Sequence, residues 1–281
     1  MIAPLYLVHG FAFHGGVFAP LAAALAERGQ AVARLDLPGY GGVPALSGQG
    51  AAPDQDDGVP HQAAANAAAN AAAAVAAALV ARSRPGATWV AWSLGALYAL
   101  QVATEYPGHI ARLVLLGATP RFVAGPGWPH AVAPALLAGF DQDLARAPKR
   151  LLHRLVGLAA HGDPAARAIR PGLEAALVPA PSPATLAAGL AALAGLDLRP
   201  ALAQLAIPCQ VLLGAADPLV PAALADDWRR LLPGARVEIL PGAGHAPFLS
   251  APTAVAAAIL SADPGLLADP ALGSAPDLDH G

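Results

Sequence analysis

The sequence is poor in cysteine, lysine and aromatic residues: of its 281 residues one is cysteine, and Phe, Trp and Tyr together make up 5%. A single thiol, Cys209, excludes a disulfide-stabilised module and a cysteine-rich zinc site. Charged residues are also scarce at 12%, but 56% of the residues are hydrophobic, which excludes a disordered chain. The net charge of −3 leaves no broad basic surface, so we expect no binding to nucleic acid.

Long hydrophobic runs are missing apart from an uncharged, alanine-rich stretch at 62–81. A bilayer span needs about 20 such residues, but here Gln62, Asn66 and Asn70 place three amides on one helix face. We therefore predict a soluble amphipathic helix and no membrane contact. The N-terminus, MIAPLYLVHG, lacks the basic region of a signal peptide and its apolar run is short. We expect the protein to be cytoplasmic, and monomeric.

Short apolar runs alternate with longer helical patterns, which predicts an α/β fold with a mostly parallel sheet flanked by helices. The predicted strands are Leu5–Val8, Ala31–Asp36, Ala87–Trp92, Ile110–Leu116, Gln210–Leu213 and Arg236–Leu240. The predicted helices are Val17–Arg28, the alanine-rich stretch 62–81, Leu94–Tyr106, Pro221–Leu232 and Pro252–Leu260.

This alternation stops between residues 121 and 195, where nine prolines interrupt short helical patterns and no strand pattern occurs. We predict that residues 121–195 form a helical insert over a core made of residues 1–120 and 196–262. Residues 43–60 are rich in Gly, Pro and Asp and are predicted to be a flexible surface loop. Residues 263–281 are predicted to be a disordered tail.

The strongest local motif is Ala91-Trp92-Ser93-Leu94-Gly95, at the junction of a predicted strand and a predicted helix. A serine on such a sharp turn projects its hydroxyl above the sheet, and its neighbours must be small because the backbone there is crowded. Ala91 stands where glycine is more usual. The motif predicts that Ser93 is a nucleophile, although a string of this kind alone is common by chance.

A serine nucleophile needs a base and a group that orients the base. His245 follows the last predicted strand, and Asp217 follows the strand before it. Both therefore lie at the carboxyl edge of the sheet, where sites in open α/β folds form. The chain order Ser, Asp, His is that of α/β-hydrolases, so we predict a catalytic triad of Ser93, Asp217 and His245.

Alternative roles exist for the acids and histidines. Asp217 could be no more than an N-terminal cap of the helix that follows it. The strand Ile110–Leu116 ends without a carboxylate, and Asp36 precedes Ser93 in a glycine-rich turn, so we assign Asp36 a structural role. His9 is predicted to be a structural hydrogen-bonding residue. The remaining histidines show no ligand spacing, so we expect no metal and no cofactor; they are His14, His61, His109, His130, His153, His161 and His280.

Acyl transfer also requires N–H donors for the tetrahedral oxyanion. The first helical residue after the nucleophile, Leu94, supplies one backbone N–H. We predict that Phe11, in the loop after the first strand, supplies the other, because Gly10 lets that backbone come close.

Together these residues resemble the α/β-hydrolase superfamily over residues 4–262. Within it the chain is most similar to the pimeloyl-[acyl-carrier protein] methyl ester esterases of biotin synthesis. The shared strings are His9-Gly10-Phe11, 35–41, Trp92-Ser93-Leu94-Gly95, Gly244-His245-Ala246-Pro247-Phe248, and within the insert Trp128-Pro129, 137–144, Gly189-Leu190 and 196–199. A tryptophan often stands in that family where this chain has Phe11.

The resemblance implies a fold with a helical lid, 121–195, and a serine carboxylesterase that frees the pimeloyl carboxylate and methanol. It implies that Phe11, Trp92 and Phe140 line an acyl channel. The full set of implied substrate-binding residues is Phe11, Trp92, Ser93, Leu94, Phe140, Asp141, Gln142, Asp143, Leu144 and His245.

The family's acyl carrier protein is acidic, and the charge distribution bears on that partner. The insert holds seven basic and four acidic side chains, a net charge of +3, which leaves −6 for the rest of the chain. We expect the carrier to dock on Arg146, Arg150 and Arg154, although a solvated helix face would show the same pattern. Two other functions stay open: a broad small-ester carboxylesterase or lactonase, and a hydrolase-fold ligand-binding protein with vestigial catalysis. Haloperoxidase activity on the same triad is a lesser alternative.

Overall fold

Six parallel strands form one sheet in the computed structural model, which describes residues 4–47 and 61–261. The predicted tail and residues 48–60 of the predicted loop lie outside the described residues. The sheet has the order β2-β1-β3-β4-β5-β6, and all five pairings are parallel. The strands are β1 Leu5–Val8, β2 Val32–Leu35, β3 Ala87–Trp92, β4 Ile110–Leu116, β5 Cys209–Gly214 and β6 Arg236–Leu240.

The inner strands are mainly apolar, with Thr88, Arg112 and Gln210 as exceptions, because both of their faces are covered by helices. Every residue of β1 and β5 is buried, whereas the edge strands β2 and β6 are partly exposed. Since all strands run in the same direction, their carboxyl ends meet at one edge of the sheet. Trp92 at the end of β3 pairs with Leu116 at the end of β4, so the residues that follow these strands lie side by side.

A short 3₁₀ helix at Gly15–Phe18 and eleven α-helices surround this sheet in the described part of the chain. They are α1 Ala19–Ala26, α2 His61–Val80, α3 Leu94–Glu105, α4 Pro134–Arg146, α5 Pro148–Ala160, α6 Ala166–Ala175, α7 Pro183–Gly195, α8 Arg199–Leu202, α9 Leu224–Leu231, α10 Pro247–Ser250 and α11 Pro252–Ser261. Helix α1 packs against α11, and α2 packs against α3. Among the described residues, no helix is long and apolar enough to cross a bilayer.

Helices α4 to α7 lie between β4 and β5 along the chain, in the segment that the prolines interrupt. Proline begins three of them, at Pro134, Pro148 and Pro183, because its missing N–H is not needed in the first turn. The two ends of the segment are held together by Asp197, whose carboxylate lies 3.0 Å from Arg121 and 2.6 Å from Arg199. The segment therefore leaves and rejoins the sheet at one place.

Candidate active site

Ser93 lies between β3 and α3 with φ 53° and ψ −121°, a conformation that a residue with a side chain rarely adopts. The turn is tight because β3 passes directly into α3, whose start packs against the end of β1. A Cβ at Gly95 would collide with the carbonyl oxygens of Val8 and His9. Glycine at this position therefore lets α3 begin close to β1, and the backbone strain at Ser93 lifts its hydroxyl above the sheet.

His245 and Asp217 form a buried pair at the same edge of the sheet. The Nδ1 atom of His245 lies 2.7 Å from Asp217 Oδ2. The other carboxylate oxygen of Asp217 accepts hydrogen bonds from the backbone N–H groups of Leu219 at 2.8 Å and Val220 at 2.9 Å. These donors fix the carboxylate, which in turn fixes the imidazole with Nδ1 towards the acid.

The backbone and ring of His245 are held by Trp92. The Trp92 indole N–H donates to the carbonyl oxygen of His245 at 2.8 Å, and the two ring centroids are 5.3 Å apart. Since Nδ1 faces Asp217, Nε2 is the nitrogen available to a reacting hydroxyl. In the part of the chain that the structure describes, Ser93 and His245 are not hydrogen-bonded to each other, and such bonds often tighten only when substrate binds.

Ser93 and His245 line one partly open cavity, and its empty space of about 370 Å³ includes open solvent. Apart from these two residues its walls are aromatic and aliphatic: Phe11, Phe13, Trp92, Phe122, Phe140, Leu155, Ala159, Leu193 and Leu219. Such a lining excludes water and suits a hydrocarbon chain. The arrangement places a serine and a carboxylate-oriented histidine beside an apolar binding space, as nucleophilic acyl transfer requires.

The predicted oxyanion donors belong to two segments next to Ser93, the start of α3 and the loop after β1. Leu94 is the first residue of α3, and the first N–H groups of a helix have no intrahelical acceptor. The loop after β1 approaches Ser93 closely, since a Cβ at Gly10 would lie 3.1 Å from the Ser93 Cβ. Phe11 follows in that loop and lines the cavity. Its N–H and that of Leu94 remain our proposed oxyanion hole.

None of residues 141–144, which are predicted to bind substrate, lines the cavity, and their substrate role stays a prediction. Asp141 and Gln142 lie on the exposed face of α4. The Asp143 carboxylate is buried against guanidinium groups, 3.1 Å from Arg150 and 2.9 Å from Arg154. A helix turns about 100° per residue, so Asp141 and Gln142 point away from the cavity that Phe140 lines, whereas Leu144, one turn after Phe140, is half-buried outside the lining. Leu94 is also absent from the lining.

Several lining residues escaped the sequence prediction, namely Phe13, Phe122, Ala159, Leu193 and Leu219. The helical periodicity of α5 could have predicted one pair of lining residues, because Leu155 and Ala159 are one turn apart on its apolar face and both line the cavity. Leu219 is two residues from Asp217, and its backbone N–H holds that carboxylate. Phe122 and Leu193 come from the two ends of the segment that holds α4 to α7, and no local pattern marks them.

His9 has the geometry of a structural residue, as predicted. It is fully buried, its Nε2 accepts the Leu37 N–H at 2.9 Å, and its Nδ1 lies 2.9 Å from the Gly10 carbonyl oxygen. Burial lowers the pKa of His9 from 6.5 to about 4. The Asp36 carboxylate, 3.6 Å away, opposes that shift and also accepts the Gly15 N–H. A neutral imidazole thus braces the loop that carries Phe11.

The lowered pKa of His9 predicts a loss of stability in acid. Below pH 6.5 the unfolded chain binds a proton that the folded protein does not bind until about pH 4, so unfolding becomes easier as the pH falls through this range. His9→Gln keeps a donor and an acceptor but does not titrate. Between pH 6.5 and pH 4 its free energy of unfolding should therefore fall by about 3 kcal/mol less than that of wild type. Urea unfolding at several pH values measures this difference. The same exchange at the exposed His153 should follow the wild-type curve.

Within residues 4–47 and 61–261, no group of three or more His, Cys, Asp or Glu side chains is placed to hold a metal ion. The thiol of Cys209 is buried, and burial raises its pKa to about 12. It lies at the start of β5, at the opposite end of that strand from Asp217.

A sequence profile described as the Alpha/beta hydrolase family matches residues 5–258. The chain belongs to this family. The hydrolase is 40% identical over 259 residues to a protein of Xanthomonas campestris pv. campestris (strain B100) named pimeloyl-[acyl-carrier protein] methyl ester esterase, covering 91% of this chain and 92% of that protein. A protein of the same name from Methylococcus capsulatus is 39% identical over 249 residues, 87% of this chain and 88% of that one. The resemblance predicted from the sequence is thus confirmed.

Solved structures with little sequence identity share the hydrolase's fold. A bromoperoxidase from Bacillus anthracis superposes with a TM-score of 0.75 at 18% identity, over 93% of this chain and 92% of that one. An esterase from Exiguobacterium antarcticum superposes with a TM-score of 0.72 at 18% identity, over 92% and 91%. These matches confirm the predicted fold class.

Proposed function

We propose that the hydrolase is a serine carboxylesterase that cleaves the methyl ester of pimeloyl-[acyl-carrier protein] and so supplies free pimeloyl carboxylate for biotin synthesis. One observation carries the chemistry: a buried His245–Asp217 pair at 2.7 Å faces the cavity that also contains Ser93. The substrate is supported by relatives of that name, which are about 40% identical over nine-tenths of the chain.

In the proposed reaction, His245 Nε2 accepts the Ser93 proton as Oγ attacks the ester carbonyl carbon. The N–H groups of Phe11 and Leu94 stabilise the oxyanion. The tetrahedral intermediate collapses with proton transfer from His245 to the leaving methoxide, and methanol departs. Water then attacks the acyl-enzyme with His245 again as base, which releases the carboxylate and restores Ser93. Throughout, Asp217 stabilises the imidazolium and keeps its Nδ1–H directed inward.

We propose that residues 121–195 act as a lid over this site. Five of the cavity-lining residues belong to that segment: Phe122, Phe140, Leu155, Ala159 and Leu193. An apolar lid suits the methylene chain between the carrier-linked end and the ester end of a pimeloyl group, and it keeps water from the acyl-enzyme until the alcohol has left. Phe11, Trp92 and Phe140 would contact that chain.

The carrier-docking surface that we propose consists of Arg146, Arg150 and Arg154 on α4 and α5. Arg150 and Arg154 share the single Asp143 carboxylate, so the surface keeps a net positive charge. The Arg154 guanidinium lies 5.0 Å from the centre of the Phe140 ring, which lines the cavity. An acidic carrier bound here would therefore deliver its acyl chain beside the lid wall.

Charge reversal tests this surface. The double variant Arg146→Glu and Arg150→Glu should lower kcat/KM for a carrier-linked ester by roughly 10-fold, because it repels an acidic partner, and added salt should shrink the difference. Arg154 is left in place because it packs on Phe140. Hydrolysis of a simple p-nitrophenyl ester should be unchanged. Arg229→Glu with Arg236→Glu is the matched control, since these exposed arginines also pair with neighbouring carboxylates.

The proposed function is tested by incubating purified protein with methyl pimeloyl-carrier protein and measuring methanol and free carboxylate. Cleavage by wild type but not by Ser93→Ala supports the proposal. Cleavage of simple esters alone would identify a broad carboxylesterase instead. A protein that cleaves neither, and is not labelled by a fluorophosphonate, would be a hydrolase-fold binding protein. A cytoplasmic location and a monomeric state form part of the same proposal and are tested by fractionation and light scattering.

A further inference from the structure

The turn between α5 and α6, which is part of the proposed lid, packs against the loops of the candidate active site. Gly162 has φ +76°, and a Cβ there would lie 2.5 Å from the carbonyl oxygen of Ala216, next to Asp217. A Cβ at Gly244, next to His245, would lie 2.9 Å from the carbonyl oxygen of His161. The turn therefore contacts the acid loop on one side and the base loop on the other, with backbone against backbone.

Asp163 in this turn has its side chain directed at the base loop. It is 6% exposed, its Oδ2 accepts the Gly244 N–H at 3.3 Å, and its Oδ1 accepts the Ala165 N–H at 2.8 Å. Within the described residues this carboxylate has no cationic partner. The turn alone requires only the bond to Ala165, which a serine hydroxyl also provides. A carboxylate at this position is therefore explained by its second hydrogen bond, the one that it accepts from the Gly244 N–H.

The bond to Gly244 completes the restraint of His245. The carbonyl oxygen of His245 is held by the Trp92 indole and its ring by Asp217, and the N–H of the preceding residue, Gly244, is held by Asp163. We propose that Asp163 is a positioning residue, which fixes the base loop so that His245 Nε2 meets the Ser93 hydroxyl. This inference rests on the proposed function, since it concerns the same serine and histidine.

Helix α5 connects the turn of Asp163 to the cavity wall and to the proposed carrier-docking surface. Its exposed side carries Arg150 and Arg154, its inner side contributes Leu155 and Ala159 to the cavity, and its C-terminal end leads into the turn of Asp163. One helix thus joins the proposed carrier surface, the cavity wall and the base loop. A shift of α5 would move all three together.

The diagnostic variant is Asp163→Ser, which keeps an acceptor for Ala165 but is too short to reach Gly244. On a p-nitrophenyl ester its kcat should fall by roughly 10- to 100-fold, because a small misplacement of a catalytic group is costly, while KM stays within about twofold of wild type. The rate of Ser93 labelling by a fluorophosphonate should fall by the same factor. The downfield proton resonance of the His245 Nδ1–H should broaden or disappear.

Asp227→Ser is the matched control, because Asp227 is equally buried and pairs with His130 and Arg230 away from the base loop. It should lower the melting temperature without changing the labelling rate. If Asp163→Ser keeps the wild-type kcat, labelling rate and Nδ1–H resonance, the positioning role is refuted while the proposed function stands. If wild type itself is neither labelled nor active on any ester, the proposed function fails and this inference fails with it.

Discussion

Replacing Ser93 with alanine is expected to lower kcat for ester hydrolysis by about 10⁵-fold or more, the scale seen when a triad nucleophile is removed. The reason is that His245 then has no hydroxyl to deprotonate, while the cavity and the oxyanion donors are unchanged. Substrate binding should therefore persist. Steady-state hydrolysis of a p-nitrophenyl ester measures the loss, and fluorophosphonate labelling should disappear with it.

The strained backbone at Ser93 provides a second readout in the same experiment. Ser93→Gly should be as inactive as Ser93→Ala but more stable to urea by about 1 kcal/mol, because glycine adopts φ 53° without a clash. Ser83→Ala is the matched control: Ser83 is hydrogen-bonded to His109 at 2.8 Å, away from the cavity, and its loss should leave activity intact. Appreciable turnover or labelling by Ser93→Ala would place the nucleophile elsewhere.

Much of the sheet follows from local sequence. The bounds predicted for Leu5–Val8, Ala87–Trp92, Ile110–Leu116 and Arg236–Leu240 coincide with β1, β3, β4 and β6, because short apolar runs bounded by turn residues are typical of strands. Helix starts were less predictable. The predicted helix Val17–Arg28 begins as a 3₁₀ helix at Gly15–Phe18, where the His14 side chain accepts the Gly16 N–H, and α1 ends at Ala26. That cap depends on a side-chain bond that periodicity does not reveal.

The three predicted triad positions come together for a reason that the sequence contains. Ser93, Asp217 and His245 each follow a strand, and a parallel sheet brings all strand ends to one edge. The lid contacts are different, because Phe122, Leu155 and Leu193 meet only through the packing of helices over that edge. The resemblance implies a substrate role for residues 141–144, and the structure adds that Asp143 pairs with Arg150 and Arg154 of the neighbouring helix. Ion pairs between two helices cannot be predicted from the hydrophobic periodicity of either helix.

Asp217→Asn is expected to lower kcat by about 10⁴-fold, the loss known when the acid of such a triad becomes an amide. The asparagine oxygen can still accept the N–H groups of Leu219 and Val220, so the loop should keep its shape. Its amide nitrogen then faces His245 Nδ1, where a donor meets a donor unless the imidazole adopts the other tautomer. In that tautomer Nε2 carries the proton and cannot accept one from Ser93.

The activity of Asp217→Asn distinguishes a triad role of Asp217 from a helix-capping role. A capping aspartate would tolerate asparagine well, since both residues are good caps, and activity would then be near wild type. Asp217→Ala removes the acceptor for the backbone N–H groups as well, so it should lose both activity and about 1–3 kcal/mol of stability. Raising the pH should partly restore Asp217→Asn but not Ser93→Ala, because hydroxide can then replace the missing base only where the serine nucleophile is still present. The pH profiles of the two variants on one ester make that comparison directly.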